Sequence, residues 1–188
     1  MIKKMVFQHQ QFSKPVSTVK TIIFDIKGVL LMNRTVDQII SNPNSTCPMV
    51  AVNFLETLAL LKACKAVGHK LFILSNMSVE KYEKIKQEPE IASLFSFFDD
   101  IIISDMTPYK KPNPEIFTYL CQQYNLKTTD CVFIDDQQDN LDGAQKASIY
   151  KTILCSNFDL QHVRNELVSY GILQQATAFE LNIPTGQA

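Results

Sequence analysis

The sequence predicts an α/β fold in which a doubly wound parallel sheet lies between two layers of helices. Short apolar segments rich in β-branched residues, such as "KTIIFDI" at 20–26, recur along the 188-residue chain without polar alternation. This pattern is typical of strands that are buried on both faces. Segments with helical periodicity lie between them, and the alternation indicates a three-layer α/β/α architecture.

The predicted elements follow one another with short connections. Five apolar runs are predicted to form the sheet: residues 20–26, 70–76, 99–105, 130–136 and 149–155. Helices are predicted over residues 52–67, 78–89, 111–126, 138–148 and 159–172, with a short apolar helix or turn at 91–98. Local signals support these limits, because Gly68 is a typical helix stop and Ser78 and Asp159 are typical N-cap residues.

The chain is predicted to contain one core domain, residues 19–173, between an N-terminal extension at 1–18 and a C-terminal tail at 174–188. Residues 31–50 are rich in Asn and Pro and are predicted to form a short, cap-like loop. Twenty residues are too few for a second domain of ordinary size, so the core has a minimal cap or none.

The composition argues against a nucleic-acid-binding protein and against a membrane protein. Hydrophobic residues make up 46% and charged residues 20% of the chain, and the net charge is -1. Nucleic-acid binding calls for an excess of basic residues, so we expect no nucleic-acid partner. No segment approaches the roughly 20 apolar residues that cross a bilayer, so we expect no membrane partner.

The cysteines indicate a reducing compartment. They are odd in number and include no CxxC pair, and they stand at Cys47, Cys64, Cys121, Cys131 and Cys155. We interpret them as buried thiols of a cytoplasmic protein rather than as a disulfide framework or a zinc site.

Polar side chains stand where the predicted strands end. Asp25 ends the first strand, Ser75 and Asn76 end the second, and Asp135 and Asp136 end the fourth. The third strand leads to Lys111. Parallel strands bring their carboxyl ends to one edge, where ligands of α/β proteins bind. Carboxylates there can hold Mg²⁺, a lysine and a hydroxyl can hold phosphoryl oxygens, and an aspartate beside the metal can be a nucleophile.

The same segments carry a family resemblance. In order along the chain, "FDIKGVL", "ILSN", "KKPNPEIF" and "FIDDQQDN" resemble the four motifs of the haloacid dehalogenase-like hydrolase superfamily, over about residues 20–160. The last two motifs are similar to those of the branch with sugar-phosphate phosphatases and the N-terminal phosphatase domain of soluble epoxide hydrolase. The resemblance implies a Rossmann-like core and a phosphomonoester phosphatase that depends on Mg²⁺.

The resemblance also implies the chemistry of individual residues. Asp25 would attack phosphorus and become an aspartyl-phosphate, while Ser75 and Lys111 would hold the phosphoryl oxygens. Lys111 is preferred over Lys110 because it directly precedes Pro112, as the lysine of the family does. Asp25 would also be a ligand of Mg²⁺.

Further residues are implied around the metal and the substrate. Asp136 would bind Mg²⁺, with Asp135 binding it directly or through water. The backbone carbonyl of Lys27 would be another ligand. Asn76 would support the site or donate to the substrate, and Asn140 stands where many relatives have an acid that supports the metal.

Lys27 departs from the family pattern. Most phosphatases of the family have an aspartate two residues after the nucleophile, and it protonates the leaving oxygen and later activates water. General acid–base help of this kind is typically worth about 10²–10⁴-fold in rate. Lysine cannot copy this role directly, but burial and Mg²⁺ can leave an amine neutral and able to shuttle protons. Alternatively, Lys27 adds positive charge near the phosphate.

Three hypotheses about function therefore stay open. The chain is a phosphatase that Lys27 has weakened or specialised, a catalytically inactive module that binds phosphate or a protein, or a structural protein. Without a large cap the site is expected to be open. An open site admits a phosphorylated small molecule or a phosphoprotein, or it is covered by another copy of the chain in a homo-oligomer.

Overall fold

The computed structural model describes residues 20–36, 38, 45 and 47–175. Five parallel strands form its main sheet, in the order β5-β4-β1-β6-β7. A separate antiparallel pair, β2 and β3, lies between the first and second strands of the main sheet along the chain. The strands are β1 Thr21–Phe24, β2 Leu31–Asn33, β3 Met49–Ala51, β4 Lys70–Ser75, β5 Asp100–Ile103, β6 Cys131–Asp135 and β7 Lys151–Leu154. Within the described residues the α-helices include α1 Phe54–Ala66, α2 Val79–Ile85, α3 Pro89–Phe95, α4 Pro114–Gln123, α5 Gln138–Lys146 and α6 Leu160–Ser169.

Successive residues of the central strand β1 enter two different cores. Ile22 and Phe24 belong to one apolar cluster, which also contains residues of α1, α2, α3 and α6. Ile23 belongs to the other cluster, which contains residues of α4 and α5. Because side chains alternate across a strand, the two clusters are the two faces of the sheet. The predicted doubly wound sheet between two helix layers is confirmed.

Proline divides the region predicted as a helix over 78–89. Ser78 caps α2 as predicted, since its hydroxyl accepts a hydrogen bond from the backbone N–H of Lys81. The helix ends at Ile85, and Pro89 begins α3. Glu88 is extended, with φ -73° and ψ 126°, as expected of a residue that precedes proline. The apolar segment predicted as a helix or turn at 91–98 is thus the remainder of α3 and the turn after it.

The segment predicted as a loop at 31–50 contains regular structure at both ends. Leu31 pairs with Ala51, and Asn33 pairs with Met49, in the short antiparallel hairpin of β2 and β3. Strands of three residues carry too little pattern to be recognised in a segment rich in Asn and Pro.

The predicted terminal segments fall largely outside the described residues. This is true of the whole N-terminal extension at 1–18 and of the tail at 174–188 beyond residue 175. All five cysteines are buried and free, as predicted. In the part of the chain that the structure describes, no helix has the length and apolar character required to cross a membrane.

Strand register fixes where the functional edge lies. Phe24 of β1 pairs with Ile73 of β4 on one side and with Ile134 of β6 on the other. The chain therefore leaves all three strands at nearly the same level. Asp25 follows β1 directly, and its N–H donates to the carbonyl of Ile134 at 2.9 Å.

Candidate functional site

A buried ion-pair cluster lies at the carboxyl edge of the three central strands. Lys111 Nζ donates to Asp25 Oδ1 at 2.7 Å and to Asp135 Oδ2 at 2.6 Å. Asp25 is 5% exposed, Lys111 is 3% exposed and Asp135 is fully buried. Lys110, by contrast, is exposed. The lysine that precedes Pro112 is therefore the one that enters the site.

Asn76 holds the backbone of Lys111. Its Oδ1 accepts from the Lys111 N–H at 3.0 Å, and its Nδ2 donates to the Lys111 carbonyl at 2.8 Å. Both ends of the amide are thereby used, next to a cis peptide bond between Lys111 and Pro112. Of the two roles expected of Asn76, support of the site and donation to the substrate, these contacts favour the first, because the amide positions the lysine.

The segment after Lys111 is also held from the other side. Gly143 in α5 lies so close to it that a Cβ at this position would be 2.0 Å from the carbonyl oxygen of Pro112. A helix can approach a backbone this closely only through glycine. Asn76 and Gly143 together fix the loop that carries Lys111.

Asp135 is a hub of hydrogen bonds. Its Oδ1 accepts from the N–H of Gln137 and from Nδ2 of Asn140, both at 2.9 Å, while Oδ2 accepts from Lys111. Asn140 is buried and thus supports the acid pair through Asp135. Because both oxygens of Asp135 already accept strong hydrogen bonds, we assign it mainly to the orientation of Lys111. Asp25 and Asp136 are the better candidates for direct metal ligands.

Asp136 presents an oxygen without a partner. Its Oδ1 is buried and accepts no hydrogen bond from any described residue. A buried carboxylate oxygen in this state is costly unless something binds it. Gly28, with φ +92°, lies against this carboxylate, and a Cβ there would be 2.1 Å from Asp136 Oδ2. The close approach also brings the backbone that carries the carbonyl of Lys27 toward Asp136.

The donor set fits a hard divalent cation. Oxygen atoms from Asp25, Asp135 and Asp136 all lie within 4.8 Å of one another. When these three groups are ionised, Lys111 alone opposes them, and two negative charges remain in excess. Mg²⁺ prefers carboxylate oxygens and keeps several waters, so Asp25, Asp136 and the Lys27 carbonyl are the residues that would hold it.

Burial dominates the electrostatics of the carboxylates. It raises the pKa of Asp25 above its ordinary value of 3.8, and the Lys111 ammonium offsets this only in part. Burial, followed by the neighbouring Asp135 carboxylate, also raises the pKa of Asp136. Burial alone would lower the pKa of Lys111, but Asp25 and Asp135 together outweigh it, and the pKa lies above 10.5. The lysine therefore stays charged at neutral pH.

Two predicted site residues differ sharply in exposure. Ser75 is 2% exposed, and a hydrogen bond from its hydroxyl is among the effects that lower the pKa of Asp25. Lys27 has an exposed side chain. The neutral-amine role considered for Lys27 depended on burial, and the structure does not provide that burial.

A methyl group at Gly28 is expected to damage the acid site. In Gly28→Ala the new Cβ would meet the Asp136 carboxylate, and a side chain at positive φ adds strain of about 1 kcal/mol or more. We expect a lower free energy of unfolding and weaker Mg²⁺ binding, measured by chemical denaturation and by calorimetry. Gly68→Ala is the matched control, because Gly68 has φ +90° with nothing within 4 Å of its Cβ position. Equal losses of Mg²⁺ affinity in the two variants would contradict the role of the Gly28 contact.

Residues 51–148 match the haloacid dehalogenase-like hydrolases. The match spans half of the chain and includes Ser75, Lys111, Asp135 and Asp136. The chain belongs to the haloacid dehalogenase-like hydrolase family. The matched region begins after Asp25 and Lys27, so the departure at Lys27 lies outside it.

Among curated proteins, the chain is similar to phosphatases of this family. It is 30% identical over 85 residues to a glyceraldehyde 3-phosphate phosphatase of Methanocaldococcus jannaschii. The aligned region covers 45% of this chain and 36% of that protein. It is 26% identical over 105 residues to a phosphoglycolate phosphatase of Vibrio vulnificus, covering 56% of this chain and 42% of that protein. The chain thus spans about two fifths of the length of these relatives.

A solved structure shares the fold. A haloacid dehalogenase family enzyme from Bacteroides thetaiotaomicron, in complex with magnesium and inorganic phosphate, superposes with a TM-score of 0.59. The sequences are 16% identical, and the likeness covers 78% of this chain and 99% of that one. At this identity the likeness supports the architecture alone.

Proposed function

We propose that this chain is a phosphatase that hydrolyses phosphate monoesters through an aspartyl-phosphate on Asp25, with Mg²⁺ as its cofactor. The observation that carries the proposal is the buried contact of 2.7 Å between Lys111 Nζ and Asp25 Oδ1, beside Asp136 with its unpartnered oxygen. The similarity to curated phosphatases supports the same class of reaction.

The residues divide the first chemical step between them. A carboxylate oxygen of Asp25 attacks phosphorus, the bond from phosphorus to the leaving oxygen breaks, and the leaving oxygen takes its proton from solvent water. An ammonium group has three N–H donors, and Asp25 and Asp135 occupy two of those of Lys111, so one can serve a phosphoryl oxygen. The Ser75 hydroxyl can turn from Asp25 to a second phosphoryl oxygen. Bound Mg²⁺ would neutralise charge on the phosphoryl group.

The second step returns Asp25 to its resting state. A water oxygen attacks phosphorus, the bond from phosphorus to the Asp25 oxygen breaks, and inorganic phosphate leaves. The water must lose a proton, and this proton passes to solvent because Lys27 replaces the family aspartate that would accept it. We therefore propose a turnover that is slower than in relatives with both aspartates, or one restricted to particular substrates.

Substrate, partner and location are part of the same proposal. Phosphorylated small molecules and phosphoproteins both remain candidate substrates, and a homo-oligomer can cover an open site. We also propose a cytoplasmic location, which five buried and free thiols support.

A phosphomonoester panel, run with and without Mg²⁺ on wild type and on Lys27→Asp, tests the proposal. We expect Mg²⁺-dependent release of phosphate by the wild type and a kcat that is roughly 10²-fold higher in Lys27→Asp, the lower end of general acid–base effects. Turnover by Lys27→Asp alone would instead favour the alternative of an inactive phosphate-binding module. Absence of turnover in both proteins, with Mg²⁺ bound, would contradict the proposed function.

Acidification is expected to weaken Mg²⁺ binding before ordinary carboxylates titrate. The pKa values of Asp25 and Asp136 are raised, so these groups take up protons at higher pH than exposed aspartates do. Protons compete with the cation for the same oxygens, so as the pH is lowered from neutral the Mg²⁺ affinity should begin to fall before the ordinary aspartate pKa of 3.8 is reached. Calorimetric titrations across this range measure the effect. An affinity that stays constant until exposed aspartates take up protons would contradict the assignment of these two carboxylates as the ligands.

A further inference from the structure

Lys27 brings an exposed positive charge to a site whose nucleophile and phosphoryl-binding groups are buried. Asp25, Ser75 and Lys111 are each at most 5% exposed, whereas Lys27 is exposed. Within the residues that the structure describes, no ion pair or side-chain hydrogen bond engages its ammonium group. The charge is thus free to meet a ligand that enters from solvent.

The backbone beneath Lys27 is held in place. The carbonyl of Ile26 accepts from the N–H groups of Leu30 and Leu31, and the N–H of Gly28 donates to the carbonyl of Leu31. Two residues span at most about 7 Å, so Lys27 Cα lies within that distance of Asp25 Cα. Its flexible four-carbon stem can then carry the ammonium over the mouth of the site.

Lys27 supplies a positive charge on the solvent side of the site, whereas the charge of Lys111 lies inside it. Lys111 is bound to two carboxylates at 2.6 and 2.7 Å and serves the phosphoryl group from inside the site. A phosphate monoester that binds its phosphoryl group between Ser75 and Lys111 must point the rest of the molecule outward. The outward part is the leaving group, and the Lys27 ammonium can reach it, since the Cα atoms of Lys27 and Asp25 lie within about 7 Å of each other.

We propose that Lys27 selects phosphate monoesters whose leaving group carries a second anion, either a carboxylate or a second phosphate. This inference rests on the proposed phosphatase function and adds a class of substrate to it. An uncharged or apolar leaving group would form no ion pair with the Lys27 ammonium, so this charge would add nothing to its binding affinity. A second anion would form an ion pair with it in a partly hydrated setting, where screening by salt is strong.

Phosphonates test the inference by binding alone, because their P–C bond is not hydrolysed. Calorimetric titrations in the presence of Mg²⁺ compare phosphonoacetate and 3-phosphonopropionate with ethylphosphonate and propylphosphonate, which lack the carboxylate. Wild type is expected to bind at least one carboxylated probe roughly fivefold more tightly at low salt than the counterpart that lacks the carboxylate, as for an exposed ion pair. The preference should shrink as salt is added.

Three lysine variants distinguish a specific contact of Lys27 from a general effect of positive charge. Lys27→Met should remove the preference, so that each carboxylated probe binds this variant no more tightly than its counterpart without the carboxylate. Lys70→Met removes the same charge from an exposed lysine that begins β4 at the opposite edge of the sheet, and it should retain the preference. Lys110→Met should also retain it if Lys27 alone provides the contact.

The outcomes distinguish this inference from the proposed function. If all four phosphonates bind wild type and Lys27→Met equally well, Lys27 does not select, and the phosphatase proposal still stands. If Lys27→Met weakens all four probes to the same extent, the lysine binds the phosphoryl group itself and the selection is refuted. If no phosphonate binds in the presence of Mg²⁺, the proposed site and this inference both fail.

Discussion

Asp25→Asn is expected to abolish hydrolysis while leaving the fold intact and the metal-free protein more stable at neutral pH. An amide cannot form the aspartyl-phosphate, and the loss of a nucleophile lowers kcat by about 10⁴-fold or more in hydrolases with covalent catalysis. The effect on stability arises because Asp25 is buried and faces a second buried carboxylate, Asp135. The amide oxygen can still accept the hydrogen bond from Lys111.

The pH dependence of this gain has a definite sign. The folded-state pKa of Asp25 is raised above its ordinary value of 3.8, so folding favours the protonated form. Its contribution to stability is therefore present at low pH and is lost as pH rises through the raised pKa. The gain in Asp25→Asn should be largest near neutral pH and should shrink as pH falls toward about 4.

Phosphate release and thermal unfolding without metal measure the two effects. Asp139→Asn is a matched control, because Asp139 is an exposed carboxylate at the start of α5. It should leave the activity unchanged and should not raise the stability, because Asp139 is an acid in the first turn of a helix, where its charge is favourable. Residual hydrolysis by Asp25→Asn within about tenfold of wild type would show that Asp25 is not the nucleophile, since such a change is only about 1.4 kcal/mol in barrier height.

The fold was predictable because the same sequence pattern, an apolar strand followed by a helix, is repeated along the chain. Each central strand is an apolar run that ends in a polar residue, and alternation with helices allows few other arrangements. The same reasoning brought Asp25, Ser75 and Asp135 to one edge before any contact was known. It did not recover the hairpin of β2 and β3, because strands of three residues offer no period.

The finer geometry of the site could not be predicted from the sequence. Asn76 and Lys111 are 35 residues apart, and only the structure shows that the Asn76 amide forms two hydrogen bonds with the Lys111 backbone. The contact between Gly28 and Asp136 likewise results from packing between the turn that follows β1 and the turn that follows β6. The exposure of Lys27 depends on how the turn after β1 directs its side chain, and no residue pattern encodes that direction.

Lys111→Met is expected to have the largest effect on stability. The ammonium is the positive partner of Asp25 and Asp135, and its side chain is 1% exposed. Its removal leaves two buried carboxylates opposed, and breaking a buried pair in this way typically costs about 3–5 kcal/mol. For a chain of this length, the Tm should fall by roughly 10 °C or more. Hydrolysis should be lost as well, since the phosphoryl group loses its buried donor.

Lys110→Met provides the matched control, because it removes the same charge from the adjacent but exposed residue. It should leave the Tm nearly unchanged. The double variant Lys111→Met with Asp135→Asn should recover part of the lost stability, because one of the two opposed charges is removed. Mg²⁺ should raise the Tm of Lys111→Met more than that of wild type. The three carboxylates of the site leave an excess of three negative charges in the variant, compared with two in wild type. An equal drop in Tm for Lys110→Met and Lys111→Met would show that the buried ion pairs do not hold this edge of the sheet together.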